Sequence, residues 1–174
     1  MKKSDIHPMP EFFDRYINLV EEDDLLEALK NAQRAIEQLD KDKLRKIGSK
    51  VYAPGKWTVN DIFQHIIDNE RIQSYRALWF ARGDTHELPG YDENNFAANA
   101  RTDNRTLDEM IEELLTVRKS TIQLFSSLEP DALKRVGTCF SRSVPVIGLG
   151  FMLAGHQIHH LRVLKERYEP LADK

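Results

Sequence analysis

Residues 57–83 read WTVNDIFQHIIDNERIQSYRALWFARG, and the way this stretch folds decides the architecture of the chain. Thr58 and Asp61 have the spacing of a capping box, in which each side chain accepts a hydrogen bond from the other residue's backbone N–H. Behind them Ile62, Phe63, Ile66 and Ile67 recur at helical spacing. Gly83 supplies the residue type that most readily ends a helix. The pattern predicts one long helix over 58–82. Three ionisable residues interrupt its apolar surface. His65 sits three residues after Ile62, Asp68 lies one turn further on, and Glu70 continues the row of Phe63 and Ile67.

Three more stretches repeat the reading. Leu25, Leu29, Ala32, Ile36 and Leu39 predict a helix over 24–39, preceded by a short amphipathic piece carrying Phe12, Phe13, Tyr16, Ile17 and Val20. Thr106 and Glu109 form a second capping box that opens a helix over 106–128, ahead of Pro130. Ser143 as cap, with Pro145 in the first turn, opens a fourth over 143–168, ahead of Pro170. No alternating pattern of useful length appears, and KVYA (50–53) is the only strand candidate. Four helices with apolar stripes bury them against one another, so the expected fold is all-α, a four-helix bundle forming a single domain over 1–174. Residues 84–105 make a long connection, read either as packing over a bundle end or as a loop that covers a substrate with Tyr91, Asp92 and Asn95.

Composition fits a water-soluble chain: 41% apolar, 30% charged, net charge −3. That charge gives no reason to expect nucleic acid or an anionic membrane as partner. The N-terminus lacks an uninterrupted apolar run, and no segment approaches the roughly 18 apolar residues of a membrane span. Cys139 is the single cysteine, so no internal disulfide forms and the cytoplasm is the expected compartment. Nothing in its neighbourhood, VGTCFSRS, supplies a base that would make it a nucleophile.

The stretch GHQIHH (155–160) holds three of the six histidines. On a helix His156 and His160 share a face, on the stripe of Leu149, Met152 and Val163. His159 pairs with His156 at i+3 but stands about 100° from His160 around the axis. An inward histidine has a plain structural reading, as a core residue bonded to a carbonyl or carboxylate. Two of them make a poor metal site. His65, on another inward face, offers the third ligand, and facing helices of a bundle are where such sites are built. Three neutral imidazoles suit zinc, nickel or a similar divalent transition metal. In the third helix Arg118 stands within the row Ile111, Leu115, Ile122 and Phe125. A buried guanidinium needs a partner, and Asp68 or Glu70 is expected to supply it, with the other orienting a histidine.

Three fragments, GKWTVNDIFQHIIDNERIQSYRALWFARGD, LPGYDENNFAANA and GHQIHHLRVLKERY, in this order and spacing, resemble the DinB/YfiT-like superfamily of four-helix metalloproteins. The resemblance spans roughly residues 24–168. It implies a metal held by His65, His156 and His160, the same three that periodicity selects, with Trp57 and Asp68 matching the pattern around the first ligand. It also implies thiol-dependent chemistry: S-transfer or isomerisation with bacillithiol, mycothiol or glutathione. The expected function is a metal-dependent thiol S-transferase acting on a small electrophile, with Asp68, Glu70 or His159 relaying a proton. Metal-dependent hydrolysis is the competing chemistry, and a non-catalytic metal-binding or interaction bundle the competing class. A homodimer through Trp79 and Phe80 is also expected. A di-iron centre is excluded, because no Glu-x-x-His pair exists on any of the helices.

Overall fold

Asp24, Thr58 and Thr106 each start a bundle helix by the same chemistry, giving a side-chain oxygen to backbone N–H groups that have no partner inside the helix. Asp24 accepts from the N–H of Leu26 at 3.0 Å and of Glu27 at 3.1 Å. Both capping boxes form: Asp61 N–H donates to Thr58 at 3.2 Å, and Thr106 N–H donates to Glu109 at 2.8 Å. The computed structural model describes residues 1–173. Its helices are α1 (Asp14–Ile17), α2 (Leu25–Glu37), α3 (Lys41–Ile47), α4 (Val59–Ala81), α5 (Glu93–Asn99), α6 (Leu107–Ser126), α7 (Pro130–Lys134) and α8 (Val146–Val163). No helix among the described residues is long and apolar enough to cross a membrane.

The four long helices are α2, α4, α6 and α8, as the apolar stripes predict. Contacts run α2 to α6, α6 to α4, α4 to α8 and α8 to α2, which closes a four-sided ring. Helices consecutive in the chain, α2 and α4, therefore face each other across the diagonal. Two apolar clusters fill the bundle. One is built on Leu25, Leu29, Phe80, Phe125 and Phe151, the other on Ile36, Phe63, Ile66, Met110 and Leu114. A polar layer divides them. In it Arg118, fully buried, donates to both carboxylate oxygens of Glu70 at 2.7 and 2.8 Å and to the Leu29 carbonyl at 3.4 Å. Gln157 donates to the Ala32 carbonyl at 2.7 Å. The inward arginine thus finds the carboxylate expected of it.

The fourth helix departs from expectation at both ends. Ser143 does not cap it but lies in a strand, because residues 136–145 fold as a hairpin of β1 (Val136–Cys139) and β2 (Arg142–Pro145). The N-cap is Pro145, whose fixed φ suits a helix entry. Past Val163 the helix widens into a π-helical turn, Leu164–Tyr168. KVYA is irregular, not strand. Phe80 is no dimer surface: at 1% exposure it fills the space above Gly137, where an added Cβ would come within 2.0 Å of its ring.

Candidate metal centre

His65 comes from the first half of α4, and His156 and His160 from the second half of α8. The two helices pack side by side, and all three rings are buried. The Nε2 atoms converge: His65 to His156 is 3.0 Å and His156 to His160 is 3.1 Å. The ligand atoms of all three lie within 4.8 Å of one another. Nitrogens bound to zinc at about 2.0–2.1 Å in a tetrahedron are roughly 3.3 Å apart, so the separations suit a transition-metal ion held between them.

The electrostatics agree with that donor set. Burial pushes His65 down to about 4, aided by repulsion from His159. Burial, with the charge of neighbouring histidines, pushes His160 down to about 3 and holds His156 well below its usual value. All three are therefore neutral at neutral pH, the form in which an imidazole nitrogen binds a metal. Their orientation is fixed by packing. Trp57 stands against His65 with ring centroids 4.8 Å apart, and the Tyr168 hydroxyl anchors Trp57 by donating to its carbonyl. Tyr16 from α1 meets His156 edge-on at 5.1 Å and His159 at 5.6 Å. Gly155 permits that approach, since a Cβ there would lie 1.9 Å from the Tyr16 carbonyl oxygen.

The proposed proton-relay residues separate. Glu70 is in the bundle core with both oxygens on Arg118, hydrogen-bonded to no histidine. Asp68 is half-buried, accepts from Gln64 at 2.9 Å, and lines a different hollow with Asn95, Phe96 and Arg105. Burial raises its pKa. His159 alone stays beside the three converging histidines, its ring 5.0 Å from that of His160. Its pKa is lowered by burial and by the charges of Arg15 and Arg162.

Two cavities reach the histidines. One, about 270 Å³, is floored by Met152 and His156 and walled by Asn69, Gln73 and Arg76. The other, about 280 Å³, lies against His159 and His160, with Tyr52, Trp57 and Tyr168 opposite. Residues 84–105 contribute to both. Gly90, Tyr91, Asp92 and Glu93 close over the first, and Asn94 reaches the second. Asn95, expected over the substrate, faces neither. The hairpin, invisible to sequence reading, adds Phe140 and Arg142 to the mouth of the first cavity. A larger open hollow of about 630 Å³ beside α3 contains no histidine, and its Asp61 is engaged in capping α4.

A four-helix bundle whose second and fourth long helices bring three neutral histidines to one point is the class that fold and site define. The chain belongs to the DinB superfamily, whose profile matches residues 24–164. Among solved structures it is similar to YfiT from Bacillus subtilis, described as a probable metal-dependent hydrolase with an unusual four-helix bundle topology. The two superpose with a TM-score of 0.63 over 90% of this chain and 85% of that one, at 19% identity, a likeness of fold. No curated protein matches the chain in sequence.

Proposed function

We propose that this protein is a metal-dependent enzyme that uses His65, His156 and His160 to hold a divalent ion, zinc or nickel, and transfers a low-molecular-weight thiol to a small electrophile. The observation that carries the metal reading is the convergence of three buried Nε2 atoms. The bound ion supplies a Lewis acid that favours the deprotonated form of a neighbouring thiol or water.

The thiol reading is supported by the two cavities, because a reaction with two substrates needs room for two molecules at the centre. In this scheme the thiol gives its proton to the neutral imidazole of His159. The sulfur then forms a bond to the electrophilic carbon, and the leaving group departs with its electron pair and takes up a proton. Tyr16 and Trp57 hold the rings in place, and residues 90–93 keep water from the reacting atoms. Hydrolysis is the second reading, favoured by the description of YfiT; it needs one cavity and water as the nucleophile. The exposed Tyr75 and Leu78, beside half-buried Trp79, are the surface left for the expected homodimer, and sedimentation as a monomer would remove it.

Metal analysis and a turnover assay test the proposal together. The purified chain is expected to hold one equivalent of metal, and each of His65→Ala, His156→Ala and His160→Ala to lose it. Chlorodinitrobenzene is expected to be consumed only when glutathione, bacillithiol or mycothiol is present. Turnover of an ester without thiol would transfer the assignment to hydrolysis, and an intact metal content in the three variants would end both readings.

A further inference from the structure

Among the described residues two arginines are buried, and one of the two has a counter-ion. Arg118 is matched by Glu70. Arg76 is 4% exposed, and among the described residues no carboxylate comes within ion-pair distance of it. Its hydrogen-bond partners are neutral: Nη1 donates to Gln73 Oε1 at 3.2 Å and Nη2 to the Pro89 carbonyl at 2.5 Å. A guanidinium has five N–H donors, and a buried charge without an opposite charge costs several kcal/mol. This cost is borne on the wall of the cavity that ends at His156.

The surroundings of Arg76 form a polar track. His65, Asn69, Gln73 and Arg76 follow one another at i+4, i+4 and i+3, so they line a single face of α4. All four are buried. Asn69, 5% exposed, has a side-chain carbonyl with no hydrogen-bond partner. Arg142 at the mouth likewise has a buried Nε without an acceptor. Asn69 Oδ1 and Arg142 Nε are thus left unmet along this cavity, and the helix rises about 10 Å from Asn69 to Arg76. Two acidic residues line the cavity, but at its rim. Asp92 caps α5 with its carboxylate, and Glu93 is exposed.

We propose that this cavity binds a small carboxylate-bearing substrate, with its carboxylate on Arg76 and the rest of the molecule directed past Gln73 and Asn69 to the histidines. A guanidinium matches a carboxylate in two parallel hydrogen bonds, so the charge that the fold leaves unpaired is supplied by the ligand. The cavity lies just below the roughly 300–1,000 Å³ typical of drug-sized ligands, which keeps the molecule small. The inference rests on the metal-enzyme reading for its chemistry, but the carboxylate site is measurable without it.

Succinate and its neutral diamide, succinamide, are the probes, titrated calorimetrically at fixed ionic strength into the metal-loaded full chain and into the same chain after chelation. Succinate is expected to saturate in both and succinamide in neither. Arg76→Gln is expected to weaken succinate by about tenfold or more, as loss of a charged hydrogen bond does, with Arg76→Lys in between and metal content unchanged in both. Equal binding of the two probes, or an Arg76→Gln affinity equal to the wild type, overturns the proposal. If circular dichroism shows that the variants do not fold, the wild type decides: sulfate should displace succinate, and failure to do so overturns the inference. A chain that holds metal but ignores succinate refutes this site alone. A chain that binds succinate through Arg76 yet takes up no metal refutes the proposed enzyme and leaves the site standing.

Discussion

Arg118 and Glu70 form the most enclosed charged contact in the molecule, exposed at 0% and 1%. Removing one partner strands the other charge in the core, so Arg118→Leu is expected to cost about 3–5 kcal/mol in urea unfolding, whereas Glu70→Leu with Arg118→Leu should recover most of it. A double variant as unstable as the single one would show that the pair is worth more than its desolvation. At this scale much was legible in the sequence. Helical spacing put His65, His156, His160, Glu70 and Arg118 inward, and inward polar groups have few ways to be satisfied. What spacing could not do was choose among carboxylates. Asp68 and Glu70 differ by two positions, about 200° around the axis, and only the packed neighbour shows which one meets Arg118. Nothing in the sequence marks Asn69, Gln73 and Arg76 as inward, because polar residues on a helix usually face solvent.

Helix boundaries were readable wherever a side chain marks them, as Asp24, Thr58 and Thr106 do. The hairpin was not, because its turn breaks the usual chemistry. Tight two-residue turns need a left-handed backbone and normally use Asn-Gly, but here Phe140 (φ 52°) and Ser141 (φ 55°) adopt it. Tertiary contacts hold them there: Glu87 accepts from the Ser141 N–H at 2.8 Å, and Phe140 N–H donates to the Leu88 carbonyl at 3.1 Å. None of these partners is near in sequence. The contact of α1 with α8 gives a prediction at this scale. Gly155→Ala drives a methyl group into the Tyr16 backbone, an overpacking strain of about 1–3 kcal/mol that should outweigh the roughly 1 kcal/mol by which Ala favours a helix. The melting temperature is expected to fall and α1 to become more open to proteolysis. A rise in melting temperature would mean that α1 is not seated on α8 as described.

Taken whole, the bundle was foreseeable as four stripes, but not the order of the helices around it. Nothing local says that α2 and α4 lie on a diagonal, since that depends on which faces fit. The arrangement leaves α4 and α8 as neighbours that share the histidines, so an ion held between them ties together two helices 91 residues apart at His65 and His156. Chelation is expected to lower the melting temperature, because binding at a hundredfold excess over Kd adds about 2.7 kcal/mol to the folded state. An unchanged melt would mean that nothing is held there. That separation in the chain bears on how the protein is made. The ribosome releases α4 long before α8, and during that interval His65 has no companions. An ion that needs all three rings would therefore be captured only once the last helix has docked.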